Sequence, residues 1–159
     1  MKISVLCVGK IKEKFFRDAV QEYVKRLGAF TQVEIIEVPD RKIPDKASPA
    51  QALQVKGQEG KELEKHLDER AYKIALCLEG KKMDSIAFSQ KIQDAMVSGY
   101  NHIQFLIGGS LGLSPQVVQQ CDFKLSFSDF TFPHQLMRVI LFEQVYRAFK
   151  IAAGEPYHK

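Results

Sequence analysis

Three stretches of this sequence hold residues that could work together on a ligand. Gly108-Gly109-Ser110-Leu111-Gly112 follows the apolar run Ile103–Ile107. Backbone without side chains lets a flat ligand approach closely, and the same glycines would serve equally well in a tight turn at positive φ. Ser126-Phe127-Ser128-Asp129-Phe130-Thr131-Phe132-Pro133-His134 alternates phenylalanines with small polar residues. Exposed phenylalanines have to be covered, so this segment packs on a ligand, on a neighbouring subunit or on the chain's own core. Glu79-Gly80-Lys81-Lys82, after the apolar run Tyr72–Leu78, reads as a third, charged loop.

Better-known motifs fit poorly. Gly108-x-Ser110-x-Gly112 matches the nucleophile elbow of α/β-hydrolases, and Asp122 or Asp129 and then His134 follow in the required order. In that elbow the helix begins directly at the serine, whereas here the helix signal Ser114-Pro115 comes four residues later. A serine hydrolase acting through Ser110 thus has the residue order without the corner. No G-x-G-x-x-G follows the first apolar run, where Cys7-Val8-Gly9-Lys10 stands, and no P-loop is present. Cys7, Cys77, Cys121 and the four histidines lack metal-ligand spacing, so no metal is expected. Lys10, Lys12, Lys14 and Arg17 could bind phosphate or form a solvated helix start.

The elements that must position these stretches alternate regularly. Strands are expected at Met1–Val8, Val33–Val38, Tyr72–Leu78 (buried on both faces), Ile103–Ile107 and Lys124–Phe127. Helices are expected at Glu13–Leu27, from Ser48-Pro49 to about Leu67 with Gly57 and Gly60 as weak points, and from Asp84 or Ser85 to Ser98. Two more open at Ser114-Pro115 and at His134, the last running to Ala153. Alternation of this kind implies an α/β fold, a parallel sheet of five to six strands with helices on both faces. Ligands of such sheets bind beyond the carboxyl ends of the strands, where all three stretches fall.

With 159 residues, 45% hydrophobic and 26% charged, the chain suits one domain, 1–159, with a single core. A net charge of +4 fits a nucleic-acid partner without requiring one. No stretch approaches a signal-peptide core or a membrane span, and the unpaired cysteines suit a reducing cytoplasm.

Phe105-Leu-Ile-Gly-Gly-Ser-Leu-Gly-Leu113, Leu125-Ser-Phe-Ser with Thr131-Phe-Pro-His134, and Glu143-Gln-Val-Tyr-Arg-Ala-Phe-Lys150 with Pro156-Tyr-His-Lys159 occur in this order. Together they resemble the RlmH family, the pseudouridine-N3 methyltransferases of large-subunit ribosomal RNA in the SPOUT class. The likeness covers the whole chain. It implies a C-terminal trefoil knot, S-adenosyl-L-methionine as cofactor, a homodimer with its sites at the interface, and the ribosome or its large-subunit RNA as substrate. By position, Leu76 and Gly108 would contact the cofactor, and Phe127, Ser128, Asp129, Phe130, Thr131 and Phe132 would wrap it.

Methylating N3 of a uracil-type ring also requires removal of its proton, by a base or with help from a cation facing the ring oxygens. Arg147, Tyr157 and His158 are the catalytic candidates, with Arg138 and Lys159 as further possibilities, and the sequence leaves the proton acceptor open. A histidine suits the base and an arginine the anion clamp. Arg138 and Arg147 would otherwise form surface ion pairs, and Tyr157-His158-Lys159 would otherwise be a frayed end. The rival to an enzyme is an RNA- or ribosome-binding protein without chemistry. The apolar Leu136, Val139, Ile140, Phe142, Val145, Phe149 and Ile151 exceed what one face of the last helix can hold, which again points to a twin.

Overall fold

Ile3, Val5 and Cys7 alternate along the first strand with Leu6 and Val8, and all five are buried. A strand buried on both faces lies inside a sheet that helices cover from either side. The computed structural model, describing residues 1–159, has this layering. In chain order the elements are β1 (Lys2–Val8), α1 (Lys14–Leu27), β2 (Gln32–Val38), α2 (Pro49–Glu64), β3 (Tyr72–Lys82), α3 (Ser85–Val97), β4 (His102–Ile107), α4 (Pro115–Gln119), β5 (Phe123–Ser126) and α5 (His134–Ala152). The five strands pair in parallel, in the order β2-β1-β4-β3-β5. Helices α1, α3 and α5 close over Ile3, Val5 and Cys7, in a cluster of 19 buried apolar residues. Helices α2 and α4 cover Leu6 and Val8 in a cluster of only six, so most of the apolar burial lies on the α5 side.

Three helices start where their caps stand. Ser48 forms a reciprocal capping box with Gln51, Asp84 accepts from the Ala87 N–H at 2.7 Å, and Ser114 accepts from the Val117 N–H at 3.3 Å. Each such cap stabilises by about 1 kcal/mol. Helix α2 ends at Glu64, short of the expected Leu67, and Gly60 within it is no weak point. A Cβ there would collide with the Ser114 hydroxyl and lie 3.1 Å from a Val117 methyl, so the glycine lets α2 approach α4 closely.

The larger departure is in β3. Glu79–Lys82 is strand and not loop, and Leu125 of β5 pairs twice, with Leu76 and again with Lys81. The residues between bulge outward, leaving Leu78 56% exposed instead of buried. Gly80 permits the second pairing, because a Cβ there would lie 2.6 Å from the Leu125 backbone.

Candidate functional site

A cavity of about 680 Å³ opens beyond the carboxyl ends of β3, β4 and β5. This is within the size range of small-molecule sites. One wall is the β3 bulge, residues 76–79, a second is the stretch 107–113, and the third comes from residues 125–134. Leu76, Gly108, Phe127, Ser128, Phe130, Thr131 and Phe132 all line it. Asp129 does not. Its side chain is 82% exposed and bonded at 2.7 Å to Lys82, tying the outside of the loop to the end of β3.

The phenylalanine loop is rooted at one end and bare at the other. Phe127 meets Phe88 edge-on at 6.3 Å, and Phe88 packs against Phe105 of the core. Ser128 accepts from the Phe130 N–H at 3.0 Å, turning the chain so that Phe130 stands 78% exposed at the rim. Core packing therefore accounts for Phe127 and not for Phe130.

Gly108 is required by the chain's own backbone. A Cβ on it would lie 2.6 Å from the Gly112 carbonyl oxygen and 2.7 Å from the Leu113 nitrogen. The loop folds back on Gly108, Gly112 takes φ +86°, and the Gly112 N–H donates to the Gly109 carbonyl at 3.0 Å. Beneath Gly109 lies Glu59 of α2, a buried carboxylate that accepts from the Arg41 N–H at 2.9 Å. Burial raises the Glu59 pKa, and the Arg41 hydrogen bond partly offsets this.

At the start of α5, His134 lines the cavity, and its buried Nδ1 has no hydrogen-bond partner. Burial lowers its pKa, and the Arg138 charge one turn on adds to the effect. Arg138 itself is fully enclosed, at 1% exposure, so the alternative of a surface ion pair does not hold for it. It donates to Glu37 of β2 at 2.5 Å and to the Gly9 carbonyl at 2.6 Å, fastening α5 to the ends of β1 and β2.

The catalytic candidates gather elsewhere. Glu143 accepts from Arg147 at 2.6 Å and from the Tyr157 hydroxyl at 3.2 Å. Arg147 also lies 4.7 Å from the Tyr157 ring centre, and Tyr157 packs edge-on against Tyr146 at 5.0 Å. The tail therefore folds back onto α5. The Arg147 guanidinium is 3.2 Å from His158 Nδ1. Arginine only donates, so Nδ1 is the acceptor and the neutral ring carries its proton on Nε2. The hydrogen bond to Glu143 raises the Arg147 pKa, and burial followed by the Glu143 charge raises that of Tyr157. This cluster is thirteen residues along α5 from His134, roughly 20 Å at the helical rise. Within one chain, Arg147, Tyr157 and His158 stand together, far from the cavity.

The hydrolase arrangement does not assemble. Ser110 lines the cavity without a side-chain hydrogen bond, Asp129 is held by Lys82, and Asp122 caps the opposite end of the sheet by accepting from the Lys73 N–H. No three His, Cys, Asp or Glu side chains meet as a metal site, and no helix is long and apolar enough to cross a membrane. Sequence reasoning placed His134 in a ligand-facing stretch but did not single out Glu59, Glu143 or the burial of Arg138. Glu143 was visible as the i−4 partner of Arg147.

A parallel sheet with a cavity at strand ends, a glycine loop packed on itself and an aromatic loop leading into the last helix define the class. A family model described as "Predicted SPOUT methyltransferase" matches residues 1–158, and the chain belongs to that family. Proteins named ribosomal RNA large subunit methyltransferase H are similar over their whole length and the whole of this chain: that of Bifidobacterium adolescentis is 54% identical and that of Clostridium botulinum (strain Kyoto) 52%. Among solved structures, a probable methylase family protein from Haemophilus influenzae Rd KW20 superposes with a TM-score of 0.54. The match spans 99% of this chain and 70% of that one at 12% identity, a likeness of fold alone.

Proposed function

We propose that this chain methylates N3 of a pseudouridine in large-subunit ribosomal RNA, working in the cytoplasm as a homodimer of single-domain subunits with a C-terminal trefoil knot. The carrying observation is the cavity between the β3 bulge, the Gly108 loop and the phenylalanine loop, in a chain whose full-length relatives are named as large-subunit ribosomal RNA methyltransferases. Its residues suit S-adenosyl-L-methionine. Leu76, Phe127, Phe130 and Phe132 offer apolar walls to the adenine, and the backbone of 108–113 offers polar groups without obstructing side chains. The cofactor, when bound, supplies a methyl group on a sulfonium leaving group. The protein's part would be to hold it, exclude water and align it with the nucleophile. Support for the knot comes from the path of residues 127–133, which share the cavity with 107–113 before α5 enters between α1 and α3.

Dimerisation resolves the separation along α5. Leu136, Val139, Ile140 and Ile151 remain only partly buried, and Phe130 and Leu78 are bare at the cavity rim. A second subunit with its α5 antiparallel would cover these residues and bring its tail to the first subunit's cavity. Arg147 stays charged, Tyr157 stays protonated and His158 presents Nε2–H, so the cluster offers donors to the negative oxygens of a deprotonated ring. On this reading Arg147, Tyr157 and His158 stabilise the anion, and none of them takes the N3 proton. The test is transfer of labelled methyl from S-adenosylmethionine to purified large ribosomal subunits, with the modified nucleotide identified by mass spectrometry. Failure to bind the cofactor in calorimetric titration would instead favour an RNA-binding protein without chemistry.

A further inference from the structure

The cavity explains where a cofactor sits and leaves open how a chain of 159 residues grips a ribosomal particle. The cations are distributed unevenly. Lys10–Asp18 and Asp40–Lys46 together hold seven cations and four carboxylates, a surplus of three out of the chain's net +4. Two of the seven are already used: Lys14 pairs with Asp18 at 2.7 Å, and Arg17 turns inward to the carbonyls of Ile11 and Lys12 at 3.1 and 2.9 Å. Lys10, Lys12, Arg41, Lys42 and Lys46 are exposed, without ion pairs or side-chain hydrogen bonds.

These five stand on neighbouring loops. β1 and β2 pair through Val8 and Val38, and the Gly9 N–H donates to the Val38 carbonyl at 2.8 Å, so both loops leave the same edge of the sheet side by side. Both are braced from beneath: Gln135 of α5 accepts from the Lys12 N–H at 2.9 Å, and Glu59 holds the Arg41 N–H. Their junction adjoins the cavity, because a Cβ on Gly9 would lie 3.5 Å from His134 and 3.8 Å from Asp40. In the same stretch Phe15 is 64% exposed, its ring 4.4 Å from that of Phe16. A bare aromatic among free lysines is costly in water and well suited to RNA, where bases stack on the ring and phosphates meet the cations. Charge disfavours an apolar protein partner for the patch.

We infer that Lys10, Lys12, Phe15, Arg41, Lys42 and Lys46 form the ridge that docks ribosomal RNA, with Phe15 stacking on an unpaired base and the cations on phosphates. This inference rests on the reading of the chain as an rRNA methyltransferase. Its test is steady-state methyl transfer from tritiated S-adenosylmethionine to purified large ribosomal subunits, for the parent, Phe15→Ala, Phe15→Tyr, Lys12→Ala and Lys42→Ala. Phe15→Ala should raise KM for subunits roughly tenfold with kcat within about twofold, and Phe15→Tyr should restore it, because any flat ring can stack. Each lysine variant should flatten the dependence of log KM on log salt by about one.

An unchanged KM for Phe15→Ala overturns the inference, as does failure of Phe15→Tyr to restore it. Conversion of Phe15→Ala to a monomer in sedimentation also overturns it, by making the patch a contact between copies of the chain. Absence of transfer by the parent protein rejects the functional reading, and the ridge with it.

Discussion

Gly108→Ala is the most direct probe of the cavity, because the added atom touches only backbone. Its Cβ would lie 2.6 Å from the Gly112 oxygen and 2.7 Å from the Leu113 nitrogen, where ordinary contact begins near 3.4 Å. The Gly112 carbonyl carbon is nearer still, so residues 112–113 must retreat by about 1 Å, and they form part of the cavity wall. Overpacking of this kind costs about 1 to 3 kcal/mol, which for a chain of this length lowers Tm by roughly 2 to 12 °C. Affinity for S-adenosylhomocysteine, measured by calorimetric titration, should fall at least about tenfold, since a wall displaced by about an ångström loses its close contacts. The control is Gly99→Ala. Gly99 has φ +99° and open space around it, and it lies outside the cavity. That variant should lose about 1 to 2 kcal/mol through backbone strain and bind the cofactor product as the parent does. Parental affinity in Gly108→Ala with a parental Tm would show that the loop yields freely and that its geometry does not shape the site.

Four further outcomes are expected. Arg138→Met should lose roughly 3 kcal/mol in urea unfolding, because Gly9 and Glu37 both lose their donor and Arg138 is only 1% exposed. His134, with its pKa held below 6.5, leaves the unfolded chain binding more protons in the window beneath that value, so stability should fall there as pH falls; the urea midpoints of His134→Gln at pH 7.5 and 5.5 should differ less than those of the parent. Burial raises the thiols, Cys7 to about 12 and Cys121 to about 11, so Cys7 should resist alkylation at pH 8, while Cys77 in the cavity wall should react slowly and be protected by S-adenosylhomocysteine in mass-spectrometric mapping. Removing Glu155–Lys159 should abolish single-turnover methylation of large subunits while the fold and the proposed dimer persist in circular dichroism and sedimentation.

The order of elements was legible because each strand is a short apolar run and three helices carry their caps in plain view, at Ser48, Asp84 and Ser114. The cavity was legible because two of its walls are loops that follow β4 and β5, while the third, a bulge inside β3, was placed correctly along the chain but read as a loop. What was missed depended on distance along the chain. Lys81 and Lys82 look like loop, and only the second pairing of Leu125 makes them strand. Gly108 could serve a ligand or a tight turn, and the sequence did not show that Gly112 would fold back over it at the cavity wall. Arg138 lies three residues before Leu141 and seven before Val145, on the stripe of α5 that faces the core. Its place there was readable, but its acceptors on β1 and β2 were not. The distance from Arg147 and Tyr157 to the cavity follows simply from the length of α5, yet it matters only once the cavity is located at His134.

The interleaved strand order bears on how the chain is made. β1 is made well before its partner β4, which follows about a hundred residues later, and α5, which completes the cover over Ile3, Val5 and Cys7, follows later still. At roughly 5 to 20 residues per second, β1 waits about 5 to 20 seconds for its second edge to pair and about 7 to 30 seconds for the cover of one apolar face to be completed. No amino-terminal fragment can complete this core. Folding of this core therefore waits for α5, and a product stalled or truncated before it would expose a strand rich in valine, leucine and isoleucine to aggregation and to chaperones.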